Sequence, residues 1–184
     1  LLAIQDLQPN KGKDKENSIR QIVWKIRAKK VILATGSIER PLTFNNNDRP
    51  GIMLANSASK YLNGYGVNLG KNIVIFTNND SAYQTAIDFH NQNINVAAIV
   101  DVRKNLEGDL PTKVKNLGIK IHTGSIISNT TGRKKIQTVH IKKINQENIE
   151  ILNCDLLCMS GGWSPTVHLF TQSRGKLKFR EEDS

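Results

Sequence analysis

The 184-residue chain is 38% hydrophobic and 23% charged, enough apolar material for a packed core and too much for a disordered tail. No apolar run approaches the ~20 residues of a membrane-spanning helix, and the chain opens at Leu1 without a basic-then-apolar leader, so neither a membrane span nor a secretory signal is expected. Lys and Arg number 26 against 16 Asp and Glu, a formal +10, yet the lysines sit singly or in pairs such as Lys29-Lys30 and Lys142-Lys143. With only 5% aromatics there is no base-stacking platform, so the charge is expected to be a solvated surface rather than a nucleic-acid or membrane-binding face.

The segment Asp6 to Ser18 is polar, with Pro9 and Gly12, and is expected to form an exposed turn between strands. Ile22, Trp24 and Ile26 alternate with Val23, Lys25 and Arg27, the period of a strand. Val31-Ile32-Leu33-Ala34 is a continuous apolar run closing on Thr35-Gly36, the pattern of a strand buried on both faces. Ser37 to Pro50, with two prolines and Asn45 to Asn47, predicts a connection, and a helix is expected over Ala55 to Tyr65 with Gly66 as its stop.

The middle of the chain carries the strongest pattern. Asn72 to Phe76 predicts a strand and Thr77 to Asp80 a turn. Asp80 or Ser81 is placed to cap a helix to about Gln92, with Ala82, Ala86, Ile87 and Phe89 on its apolar stripe. Val96 to Val100 is a second buried strand ending at Asp101. Strand, helix and strand within ~30 residues make a right-handed parallel unit of a Rossmann-like sheet. A weaker helix is expected over Pro111 to Asn116 and a strand over Ile119 to His122. From Ile126 the period changes, and Ile136 to Lys143 with Ile149 to Leu152 predicts an antiparallel hairpin appended to the parallel sheet. Asp155 to Ser160 is a last apolar strand ending on Gly161-Gly162.

Cys154 and Cys158, the two cysteines, are read as lying along one strand, which sets them about 13 Å apart, beyond disulfide reach. They are expected to be buried free thiols in a reducing cytoplasm, and no metal site is expected.

A dinucleotide-binding turn needs glycines where the first strand enters the helix, so that the backbone can approach a pyrophosphate. Here those positions hold Thr77, Asn79 and Ala82, of which Ala82 alone suits its place. Asp101 lies nineteen residues after Ala82, where a ribose-binding acid belongs. The expectation is a vestigial dinucleotide turn. Ala34-Thr35-Gly36 and Ser160-Gly161-Gly162 differ in kind: each ends an apolar strand with small residues, where a ligand can lie against the backbone or where glycine simply turns the chain.

Val31 to Pro41 (VILATGSIERP) resembles the segment closing the first nucleotide domain of flavoproteins with two dinucleotide-binding domains. Three stretches, Asn47 to Leu54, Phe76 to Tyr83 and Ser160 to Phe170, resemble the α subunit of bacterial heterotetrameric sarcosine oxidase. The resemblance runs over most of the chain from about Trp24. It implies part of a four-subunit cytoplasmic flavoenzyme that oxidatively demethylates sarcosine to glycine, producing hydrogen peroxide and a one-carbon unit. FAD and FMN carry its electrons, tetrahydrofolate accepts the carbon through a domain absent here, and the α subunit carries NAD.

By the same resemblance, residues 1–41 and 155–184 form part of a first NAD/FAD-binding-type domain, and 45–153 an inserted second domain. Ala34, Thr35 and Gly36 are expected on one side of NAD, and Gly161, Gly162, Trp163 and Thr166 on the other. Trp163 and His168 also fit plain packing roles. No residue is expected to be catalytic, and the segment alone is expected to be inactive. The competing expectations are the α subunit of a related amino-acid or opine dehydrogenase complex and a non-catalytic interaction module.

Overall fold

The computed structural model describes residues 2–7 and 19–179, and the chain divides into two compact units. Most of the expected turn over Asp6 to Ser18 lies outside the described residues.

The first unit comprises residues up to Thr35 together with His168–Lys176. Its strands β1 (Leu2–Asp6) and β2 (Gln21–Lys25) pair antiparallel, with Ile4 opposite Val23 and Ala3 opposite Trp24. Gln21 Nε2 donates to Asp6 Oδ1 at 2.7 Å and Trp24 Nε1 to Gln5 Oε1 at 3.1 Å, pinning the ribbon from its side chains. The expected strand over Val31 to Ala34 is not a strand here. No ladder among the described residues receives it, and Ile32 is 91% exposed. Burial on both faces requires strands on either side, which periodicity cannot supply.

The second unit, from Gly36 to Val167, opens with β3 (Ser37–Glu39), β4 (Ile52–Leu54) and helix α1 (Ala55–Tyr65). Then follow β5 (Asn72–Thr77), α2 (Ser81–Asn91), β6 (Asn95–Asp101), α3 (Asp109–Asn116) and β7 (Ile121–Thr123). Three strands β8 (Ser125–Thr131), β9 (Thr138–Lys143) and β10 (Ile149–Asn153) precede β11 (Leu156–Ser160) and β12 (Trp163–Pro165). A short helix α4 (His168–Gln172) falls in the first unit. Gly66 ends α1 in the left-handed conformation at φ 64°, as expected of a glycine stop.

The fold is α/β. Five parallel strands in the order β4-β11-β5-β6-β7 form the central sheet. Alternation along each strand splits its side chains between two cores. Ile73, Ile75, Ile99, Leu156 and Cys158 face the helices and meet Ala58, Ala82, Tyr83, Ala86, Phe89 and Val114. Val74, Phe76, Val100, Leu157 and Met159 face the other way and meet Ile127, Ile136, Val139 and Ile141. The expected hairpin is therefore two thirds of a three-stranded antiparallel sheet, β10-β9-β8, that covers the second face of the parallel sheet. β8 escapes periodicity because its register shifts between Ile127 and Asn129.

Two further corrections concern the chain after Asn153. Cys154 sits in the break between β10 and β11, which belong to different sheets, so the two cysteines do not share a strand; both are buried free thiols, as expected. The strand expected to join the first domain from Asp155 onward is instead interior to this sheet, hydrogen-bonded between β4 and β5, and the chain changes unit only after Val167. Hydrophobicity marked β11 as buried but could not tell which sheet buries it.

Leu157, fully buried on β11 and packed in the core against the antiparallel sheet, measures this arrangement. Leu157→Ala is expected to cost about 2–5 kcal/mol, read as a lowered urea midpoint with unchanged m-value.

Candidate functional site

The carboxyl end of the parallel sheet is where an α/β fold of this kind takes its ligands. There the turn between β5 and α2 carries Thr77, Asn78, Asn79 and Asp80. Each side chain is already engaged within the protein. Thr77, fully buried, accepts the Asn79 N–H on Oγ1 at 3.0 Å and donates from the same hydroxyl to the Asn79 carbonyl at 2.9 Å. Asn79 Nδ2 donates to the carbonyl and the Oγ of Ser160, at 3.2 and 3.1 Å, and its Oδ1 accepts the Ser81 N–H at 3.1 Å. Backbone follows side chain: the Asn78 N–H donates to the Ser160 carbonyl at 3.3 Å. The turn is thus tied to the end of β11, and the space a pyrophosphate needs is filled by asparagine and threonine.

The start of α2 departs from expectation in its detail. Asp80 makes no side-chain cap; Asn79 supplies the oxygen instead, and the Asp80 carboxylate accepts from Arg103 Nη2 at 2.7 Å. The same guanidinium grips Asp101 through Nε at 3.1 Å and Nη2 at 2.8 Å. Asp101 is fully buried, and it also accepts the Tyr83 hydroxyl at 2.8 Å and the Arg103 N–H at 2.8 Å. A carboxylate holding four donors in the interior has no oxygen to offer a ribose. Burial and this carboxylate together push the Tyr83 phenol well above its ordinary range, while the hydrogen bond to Asp101 holds the Arg103 guanidinium charged. The expected ribose acid is a structural clamp.

The two small-residue sites behave differently. Gly36, Gly161, Gly162, Trp163 and Thr166 all lie in the second unit, where β3 and β12 pair antiparallel with Trp163 opposite Glu39 and Pro165 opposite Ser37. The Thr166 N–H donates to the Gly36 carbonyl at 2.9 Å, and the Gly161 N–H to the Arg40 carbonyl at 2.7 Å. These distant segments are therefore brought together in one ribbon. At Gly161 the close neighbour is protein: an added Cβ would lie 2.7 Å from the Pro41 carbonyl oxygen. Gly36 and Gly162 adopt left-handed φ of 66° and 91°; of these two, Gly36 has open space where a Cβ would be, while Arg40 faces Gly162. Ala34 and Thr35 belong to the first unit and carry no assigned strand. Trp163 donates from Nε1 to Ser81 Oγ at 2.9 Å.

Periodicity passed over Glu39, which is 7% exposed on a strand whose other two residues are exposed. Its Oε2 accepts the Asn56 N–H at 3.0 Å at the start of α1. Burial raises its pKa, opposed by hydrogen bonds from Ser160 and Asn56. Glu39 lies in a segment that reads as a connection, with no periodic signal that could have marked it. Burial keeps both cysteines protonated at neutral pH, pushing the Cys154 thiol up to about 12 and Cys158 higher still.

The same α/β architecture occurs in solved oxidoreductases. Lactococcus lactis thioredoxin reductase superposes with a TM-score of 0.62 at 17% identity, over 89% of this chain and 52% of that one. A FAD-dependent pyridine nucleotide-disulphide oxidoreductase from Desulfovibrio vulgaris gives 0.62 at 16% identity, over 86% and 41%. No protein-family model matches the chain. In sequence it is similar to sarcosine oxidase subunit alpha from Corynebacterium sp. (strain U-96), 38% identical over 166 residues, which is 87% of this chain and 17% of the relative. The Rhizobium meliloti (strain 1021) subunit of the same name is 37% identical over 154 residues, 84% and 15% of the two chains. The resemblance carried by the motifs thus extends over most of the chain, which spans about a sixth of the length of these curated relatives.

Two outcomes follow from the site. Asp101→Asn removes the anion that Arg103 and Tyr83 enclose; because Arg103 is about a third exposed, the loss is expected near 3 kcal/mol, the low end for a broken buried pair. Chemical denaturation of both proteins measures it. Gly161→Ala, driven against the Pro41 carbonyl, is expected to cost about 1–3 kcal/mol, so its thermal midpoint falls whether or not NAD is present.

Proposed function

We propose that the chain is part of the α subunit of a sarcosine oxidase-type flavoenzyme, and the observation that carries this is 38% identity over 87% of its length to a subunit of that name. On this reading the complete complex oxidatively demethylates sarcosine to glycine, with FAD and FMN passing electrons to oxygen and tetrahydrofolate taking the one-carbon unit through a domain outside these residues. Its partners are the other subunits of a heterotetramer in the cytoplasm. No helix among the described residues is long and apolar enough to cross a membrane, in keeping with such an assembly.

The fit of a dinucleotide differs between its two possible places. The turn Thr77 to Ala82 does not fit one, since its own side chains fill it. The open side of Gly36 fits close approach of a ligand, which supports NAD beside Gly36, with Trp163 on the paired strand and Gly162 and Thr166 flanking that strand. Ala34 and Thr35, joined to Gly36 in sequence, carry the same assignment. Gly161 serves the ribbon rather than the ligand, because backbone occupies its free side. Residues 2–35 belong on this reading to the first nucleotide domain, and the closed turn favours a packing role for the parallel-sheet unit within the complex.

The polypeptide carrying this chain, coexpressed with its partner subunits, is expected to give sarcosine-dependent hydrogen peroxide. The 184-residue chain alone is expected to show no flavin band after incubation with FAD and FMN followed by gel filtration. A complex that assembles yet ignores sarcosine contradicts the substrate; a stoichiometric flavin band on the chain alone contradicts the assignment of flavin to the complete complex.

A further inference from the structure

Helix α1 begins with backbone N–H groups that need acceptors, and Leu54 ahead of it has no side-chain oxygen to give. The acceptor comes from seventeen residues earlier, where Glu39 Oε2 takes the Asn56 N–H. Hydrogen bonding from the Ser160 side chain, at the end of β11, opposes the rise that burial gives the pKa of this carboxyl group. Directly across the ribbon from Glu39 stands Trp163, whose indole N–H holds Ser81, the first residue of α2. One rung of the β3–β12 ribbon therefore grips the starts of two helices.

Beside this rung lies a cavity of about 310 Å³ lined by Glu39, Asn56, Ser59, Ser81, Gln84 and Trp163 among others, with no Lys or Arg in its wall. Its position, at the carboxyl end of a parallel sheet and at helix N-termini, is one that ordinarily attracts an external anion. Here the carboxyl group of Glu39, 7% exposed, already occupies the acceptor position on the Asn56 amide.

We propose that Glu39 is the resident anion of this crevice: the chain's own carboxylate takes the amide an external anion would take, and holds the ribbon closed over the cavity. Removing the carboxylate should free the Asn56 amide and leave an opening that a small oxyanion can fill. The inference is independent of the redox role proposed above and stands or falls without it.

Amide hydrogen exchange on the full chain tests it, with inorganic phosphate as the probe and chloride at equal ionic strength as the control. In Glu39→Ala the Asn56 amide is expected to exchange at least ~10-fold faster, a factor worth about 1.4 kcal/mol, while amides of β5 and β6 keep their wild-type rates. Phosphate is expected to restore most of the Asn56 protection in the variant and to leave the wild type unchanged. Glu39→Gln keeps the shape without the charge and decides the matter should the alanine variant fail to fold: Asn56 should again exchange several-fold faster. An Asn56 rate unchanged in either variant, an acceleration that phosphate does not reverse in the alanine variant, or one shared equally by β5 and β6 overturns the proposal.

Discussion

The insertion of β11 between β4 and β5 is the constraint on which the second unit depends. Residues 156–160 arrive after the antiparallel sheet has formed in sequence, yet they supply an interior strand, with Leu157 paired to Ile52 on one side and to Val74 on the other. Without β11 the sheet would divide, leaving β4 apart from β5 and both cores short of Leu156, Leu157, Cys158 and Met159. A parallel strand buried on both faces reads as an unbroken apolar run, which is what Leu156 to Met159 is.

The same insertion shapes the ligand end of the sheet. It delivers Ser160 against Asn79, and then Gly161 and Gly162 against Arg40, so the β5–α2 turn and the β3–β12 ribbon close on each other. Asp101 and Arg103 clamp the neighbouring strand end and bind Asp80 into the same network. A site that in other proteins of this fold is held open by glycine is here held shut by hydrogen-bonding side chains. The unit keeps a Rossmann-like parallel sheet, and the side chains of Thr77 and Asn79 tie its β5–α2 turn to the end of β11.

How much of this was legible in the sequence follows from the range of each signal. The helix at 55–65 and the strand–helix–strand unit at 72–101 were readable because each carries its own period and its own stop. β3, β4 and β12, at three residues each, are too short to show a period. Val31 to Ala34 shows the reverse failure: its apolar run is real, but strand formation needs neighbours, which no local pattern reports. In the site, Thr77 and Asn79 stand where a dinucleotide turn has glycines, and their side chains bond within the turn and to Ser160. The glycines at 161 and 162 signalled a close approach but not by what, and at Gly161 the Pro41 backbone is one close neighbour. Glu39 was invisible because its partner, Asn56, is fixed only by the fold.

The central claim is that the β5–α2 turn of this Rossmann-like unit is closed to dinucleotides by its own side chains. Titration of the isotope-labelled chain with NAD, followed by amide chemical shifts, tests it most directly. The account predicts that the amides of Asn78, Asn79 and Ser81 stay where they are up to millimolar NAD. Saturable shifts at those three amides, with release of the hydrogen bonds between Asn79 and Ser160, would contradict it.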